Sequence, residues 1–463
     1  MTGSRHGGEG TGDRADTVIH GGTVITPEGR LAADVAVTDG RIAGLFAPGT
    51  APPARARIDA TGRWVIPGAL DVHVHFREPG LSHKETWTSA TRAAAAGGVT
   101  TVLDMPNTDP PTVSARAIAE KRAIAARQAI VDFGLYGALD ERSLPEIAAM
   151  VREGATSFKL YMGSENALVP CPSDGAIVEG FEALADMGIR CTVHAENTPI
   201  LAWRGARLQA AGRTDLAAHL EQHVDLAEVE GVSRTALFAQ WTGCKVHVAH
   251  VSSRHSLPLI ARAKADGIDL TAETCPHYLY LSTDDAARLG GNALRVKPPV
   301  REPGHAEPLW QALASGVIDI LSTDHAPHLP EEKGRDDIWR TAPGFPGVET
   351  SMRLMLTAVA QGRLRPEDYV RMACAAPARA FGLYPRKGAI AVGSDADIVL
   401  VDPHRRAPIR AAALHSIGAV TPFDGIETTG APVMTMVRGR VVMRDGIVEG
   451  APGWGRCLAE ATS

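Results

Sequence analysis

A (β/α)8 barrel, the TIM-barrel form of the α/β class, carrying a small composite β domain built from both chain ends, is the fold this sequence predicts. Three observations predict it. Between residues 68 and 387, β-type apolar runs alternate with Ala-rich helical stretches about eight times, the texture of βα units around a parallel sheet. Short alternating runs broken by Gly and Asp open the chain, as in Thr17-Val18-Ile19-His20-Gly21-Gly22, and return near its end in Val433-Met434-Thr435-Met436-Val437. A length of 463 residues suits one large barrel with an accessory domain. The expected division is a tail over 1–15, a β-sandwich from 16–67 with 388–450, the barrel over 68–387, and a second tail over 451–463.

In chain order, the first barrel strand is read from the apolar run 64–70, which leads into Asp71-Val72-His73-Val74-His75. Further strands are expected over 100–104, 157–161, 191–194, 245–250, 269–273 and 318–322. Helices are expected between them, over 115–129, 144–153, 176–187, 226–241 and 257–265. No GxGxxG follows the first strand, which weighs against a dinucleotide site.

Composition narrows the function classes. A hydrophobic share of 44% and a charged share of 22% describe an ordinary globular chain. A net charge of -6 without a dense Lys/Arg stripe gives no footprint for nucleic acid. The opening residues lack the apolar core of a signal peptide, and no stretch is long and apolar enough to span a membrane. The six cysteines are scattered without CxxC spacing, as free thiols in a reducing compartment would be, so the expected location is cytoplasmic.

The chemistry is expected at the C-terminal ends of the strands. His73 and His75 lie two apart, and residues two apart on a strand face the same way, so both can grip one metal ion. Lys159 sits inside Phe158-Lys159-Leu160, His194 precedes Ala195-Glu196-Asn197, His250 precedes Val251-Ser252, and Asp324 lies in Thr323-Asp324-His325. Four histidines and an aspartate suit zinc and exceed what one tetrahedral ion needs, which suggests two. Lys159 is either a lysine reaching for the barrel rim or a buried amine that carbon dioxide converts to a bridging carbamate. His247, His277 and His325 are read as structural.

These motifs, with His247-Val248-Ala249-His250 and Asp324-His325-Ala326-Pro327-His328, resemble the cyclic-amide hydrolases of the amidohydrolase superfamily, the branch of dihydroorotases, allantoinases and hydantoinases. The resemblance spans nearly the whole chain. It implies His73, His75 and Asp324 on one divalent ion, His194 and His250 on a second, carbamylated Lys159 and a hydroxide bridging both, and Asp324 as the catalytic proton shuttle. Relatives of this kind are commonly dimers or tetramers acting on small molecules.

For the substrate, Arg77, Asn107 and His328 match positions where dihydroorotases hold a carboxylate, and Pro343 and Gly344 match a segment whose backbone touches the ring. This implies dihydroorotase activity in pyrimidine synthesis. Residues 329–342 would be a mobile loop near the mouth. Glu273-Thr274-Cys275-Pro276-His277 resembles allantoinases instead, and Lys297 stands where many dihydroorotases have asparagine, so allantoinase is the alternative. Ser164 falls near the tyrosine of hydantoinases, which places that activity third. A non-catalytic scaffold is the alternative of another class, although such chains typically lose metal ligands.

Overall fold

The computed structural model describes residues 14–163 and 168–459; the Ser164 reading and most of the two expected tails fall outside them. Eight parallel strands form one sheet in sequence order: Ala69–Val74, Val99–Asp104, Asp132–Ala138, Ala155–Tyr161, Cys191–His194, Val246–Val248, Leu270–Thr274 and Ile320–Leu321. The first and eighth meet beyond the last strand, where Val74 bridges His325 and His75 N–H donates to His325 O at 2.8 Å. The sheet is therefore a nearly closed barrel, the fold class expected.

Helices wrap it because their apolar residues recur on one side and their starts carry side-chain caps. Ser114 accepts from Ala117 N at the start of the helix Ala115–Gln128, which buries Ile118 and Ala125. Ser173 does the same for Asp174–Asp186, accepting from Ala176 N. The strands are buried on both faces and so read as apolar runs.

Two further sheets come from the chain ends, the first from the N-terminal end alone and the second from both. One, of four strands, contains Ala15–His20, Asp34–Thr38, Arg41–Phe46 and Ala54–Asp59. The other, of seven, pairs Trp64–Pro67 with Ile398–Pro408, which in turn pairs with Glu427–Val437. Val24, Val35, Val37, Val65, Leu400 and Met436 belong to one buried cluster among these strands.

Four details differ from the sequence reading. The apolar run 64–70 is not one strand. It changes sheets at Gly68, where a Cβ would lie 2.1 Å from Thr100 Oγ1, so only glycine lets the chain pass so close to the second strand. The third strand, Asp132–Ala138, was not expected, because Gly134 and Gly137 dilute its apolar pattern. Residues 144–146 form a 3-10 turn before the helix Ile147–Arg152, in place of one helix. Residues 451–459 pack instead of fraying: Phe133 N–H donates to Arg456 O at 3.0 Å, and Cys457 and Leu458 are buried.

Barrel and β sheets are joined by a buried ionic knot. Lys387 Nζ lies 2.5 Å from Asp132 Oδ2 on the third barrel strand, 2.6 Å from Asp397 Oδ2 and 3.0 Å from Asp395 Oδ2. Arg438 adds a second cation on Asp132. Removing one partner leaves buried charge uncompensated. Lys387→Met should therefore cost about 3–5 kcal/mol, read as a fall in the denaturant midpoint.

Candidate metal centre

The residues singled out above converge at one end of the barrel, each delivered by a different strand. His73 lies in the first strand and His75 one residue past it; Lys159 lies in the fourth, and His194 ends the fifth. His250 and Asp324 follow the short sixth and eighth strands. Of the six non-glycine residues with positive φ among the described residues, three stand here: Arg77 at 64°, His250 at 36° and Asp324 at 47°. Such backbone is costly and clusters where function over-determines it.

His73 Nε2 lies 3.3 Å and His75 Nε2 2.9 Å from Asp324 Oδ1. Lys159 Nζ lies 3.4 Å from His73 Nε2. The His250 ring stands 5.2 Å from that of His73 and 4.5 Å from that of His194. All six side chains are buried. His73, His75 and Asp324 thus form a group able to hold one ion, with Lys159, His194 and His250 beside it.

Three of the four imidazoles are set by a partner on one ring nitrogen, whereas His250 is held through its backbone N–H. His73 Nδ1–H donates to Glu273 Oε1 at 2.5 Å and His75 Nδ1–H to Asn107 Oδ1 at 2.7 Å, so both Nε2 atoms face inward as acceptors. His194 Nε2–H donates to Glu196 Oε2 at 2.8 Å, and Glu196 Oε1 accepts from His223 Nδ1–H at 2.8 Å. Glu273 does more than hold His73: Oε2 accepts from His247 Nε2–H at 3.0 Å and Oε1 from His250 N–H at 3.2 Å. His247 is thereby occupied by Glu273 and Thr271, and His325 by the backbone of Gly347 and Val348.

The electrostatics suit a cation. Burial lowers His75 to about 4 and holds His250 well below the usual imidazole range, so both are neutral donors at pH 7. Burial alone would raise Asp324, but His73 and His75 outweigh it and keep the carboxylate ionised. Burial also draws Lys159 down to about 8, which leaves an appreciable share of free amine near neutral pH. Neutral imidazoles, an ionised carboxylate and an amine open to carbamate formation fit divalent ions.

The centre opens into a cavity of about 330 Å³ lined also by Arg77, Asn107, Lys297, His328 and Pro343. Arg77 is buried. Its Nη2 lies 3.2 Å from His328 Nε2, and its Nε has no partner among the described residues. Glu78 and Glu85, nearby in sequence, face elsewhere, Glu78 accepting from Trp87 N and Gln128, and Glu85 from Ser89; the charges of Asp324, Asp104 and Glu332 reach Arg77 without forming an ion pair with it. His328 Nε2–H donates to Pro343 O at 2.9 Å. Gly344 has φ of 132°, and a Cβ there would lie 2.6 Å from that of Ala326. Asn107 departs from its expected single task, since its side-chain oxygen already holds His75.

Residues 329–342, expected as a mobile loop, are anchored. They contain the short helix Pro330–Lys333, and buried Lys333 Nζ donates to Arg295 O at 2.7 Å. Arg295 Nη1 in turn donates to Ile338 O and Thr341 O, both at 2.5 Å.

Sequence reasoning missed Glu196, His223 and Glu273 as part of the site. Glu273 carried a signal, a charged residue inside an apolar strand, the same signal that exposed Lys159. Residues in its position typically cost 10–100-fold in metal affinity when lost. Glu273→Gln should weaken zinc binding roughly 10–100-fold, measured by competition against a chromophoric chelator.

Comparison with known proteins gives the same architecture a context. The pattern of the Amidohydrolase family matches residues 64–442. An L-hydantoinase of Paenarthrobacter aurescens is 38% identical over 446 residues, covering 95% of this chain and 97% of its own. An allantoinase of Solibacter usitatus is 37% identical, with 92% and 93% covered, and a dihydroorotase of Halobacterium salinarum is 39% identical, with 89% and 96% covered. The solved L-hydantoinase (dihydropyrimidinase) from Arthrobacter aurescens superposes with a TM-score of 0.93 at 38% identity, covering 95% of this chain and 99% of that one. Hydantoinases and allantoinases rank ahead of dihydroorotase among these relatives, against the order expected from the sequence, and kinship does not single out the ring.

Proposed function

The chain belongs to the amidohydrolase family and is a cyclic amide hydrolase, and from that premise we propose that its ring is L-dihydroorotate, opened reversibly to N-carbamoyl-L-aspartate. The observation that carries this reading is Arg77. A buried guanidinium in the cavity wall, without a carboxylate partner of its own, is a standing vacancy for an anion. Charge-assisted hydrogen bonds from Arg77, with His328 and the amide group of Asn107 beside it, would seat a ring carboxylate. A neutral ring would leave Arg77 buried and unpaired.

In this proposal His73, His75 and Asp324 would hold one divalent ion, zinc being the best match to the donors, His194 and His250 would hold a second, and Lys159, once carbamylated, would supply a further carboxylate ligand. When bound, such ions supply a nucleophilic water at neutral pH and polarise a carbonyl oxygen. The chain's own part is orientation and proton transfer. Glu273, Asn107 and Glu196 fix the imidazoles, and Arg77 sets the ring. Asp324 keeps Oδ1 against both His73 and His75, and no hydrogen bond among the described residues uses its Oδ2. That oxygen is placed to accept the proton of the attacking water and pass it to the departing amide nitrogen. A cytoplasmic homo-oligomer serving pyrimidine synthesis would be consistent with this activity, and no described helix is long and apolar enough to cross a membrane.

Allantoin is the second reading. It is supported by the allantoinase relatives and by the resemblance of Glu273-Thr274-Cys275-Pro276-His277 to allantoinases. A scaffold without catalysis is opposed by the filled set of ligand positions.

The deciding measurement is ring opening by zinc-loaded, bicarbonate-treated protein offered dihydroorotate, allantoin and hydantoin separately. Dihydroorotate should be opened fastest; preference for allantoin would overturn the carboxylate argument while leaving the metal reading intact. Arg77→Ala should lower kcat/KM for dihydroorotate about 10- to 150-fold, the equivalent of one charged hydrogen bond. Lys159→Met should abolish the added mass of one carbon dioxide in the native mass spectrum and lower the zinc content with it.

A further inference from the structure

Tyr161 stands two residues beyond Lys159 on the fourth barrel strand, so its side chain projects to the same face, toward the metal centre. Its ring lies beside the centre: Lys159 Nζ is 5.4 Å from the ring centroid, and the His194 ring is 6.3 Å away. The residue is only 8% exposed and lines the cavity with Arg77, Asn107 and Asp324. Its hydroxyl is buried and has no hydrogen-bond partner among the described residues.

Three other tyrosines among the described residues show how such a hydroxyl is ordinarily satisfied. Tyr136 Oη–H donates to Val72 O at 3.0 Å, Tyr278 Oη–H to Pro298 O at 2.7 Å, and Tyr280 Oη–H to Leu354 O at 2.7 Å. A buried hydroxyl without a partner is destabilising, and a phenylalanine would fill the same space without that cost. The hydroxyl is therefore explained by something that arrives in the cavity.

We infer that Tyr161 is a substrate-contacting residue whose hydroxyl donates a hydrogen bond to a carbonyl oxygen of the bound ring. A cyclic amide presents carbonyl oxygens on the ring itself, whereas Arg77 and His328 are suited to a charged substituent. Tyr161 would thus read a cyclic amide carbonyl, the group that all three candidate substrates share. The inference rests on the proposal that a cyclic amide occupies this cavity.

The test is Tyr161→Phe in the zinc-loaded protein, assayed on whichever ring the parent opens, with Tyr278→Phe as the comparison for stability. The expected result is a fall in kcat/KM of roughly tenfold or more, with zinc content unchanged. The melting temperature should be equal or higher for Tyr161→Phe and lower for Tyr278→Phe, which loses a satisfied bond. Unchanged kcat/KM in an active parent, or a melting temperature lowered as in Tyr278→Phe, would overturn the role of Tyr161 and leave the proposed function standing. A parent that opens none of the three rings would overturn both.

Discussion

The closure of the barrel between its first and eighth strands is the constraint on which the site depends. Asp71 makes the join rigid. Its carboxylate accepts from Thr323 N at 3.2 Å and Thr323 Oγ1 at 2.5 Å, just past the eighth strand, and from His73 N at 3.2 Å on its own strand. A single buried side chain thereby sets the distance between the histidine pair and Asp324, residues some 250 positions apart in sequence. Burial raises Asp71 to about 7, against the pull of Thr323 and His73 N–H, so this joint is made where solvation is poorest and polar satisfaction most costly to lose.

Around that joint the cavity divides by charge. One wall carries His75 and His250, which burial holds below the usual imidazole range, and the ionised carboxylate of Asp324, an arrangement that receives cations. The other carries Arg77 and Lys297 and receives anions or polar oxygens. The two walls explain why one scaffold suits several rings. The metal-facing wall attacks an amide common to all of them, and the opposite wall distinguishes what the ring bears.

Much of this was legible from the chain because it lies on strands. His73, Lys159 and His194 each interrupt or end an apolar run, and alternation on a strand tells which way such a residue points. His250 and Asp324 were legible only by motif, since both sit past their strands on left-handed backbone that no periodicity announces. The carboxylates behind the histidines were hidden for a different reason. Glu273 reaches His73 across 200 residues, and Glu196 serves His194 and His223 through a turn, so neither pairing leaves a local trace. The strand exchange at Gly68 was hidden because continuous hydrophobicity does not reveal which sheet a residue enters, and the third strand because glycine replaces its apolar side chains.

The composite sheet also bears on how the chain is made. Trp64–Pro67 pairs with Ile398–Pro408, and about 330 residues of barrel lie between them. At about 5–20 residues per second, a ribosome takes roughly 17–66 s to cross that interval. Throughout it, the edge of Trp64–Pro67 that will receive Ile398–Pro408 is without its neighbour and open to pairing with other nascent chains. The barrel can close on its own schedule, while completion of the β domain waits for the last stretch of synthesis. Newborn molecules are thus most exposed to misassembly at their oldest strands.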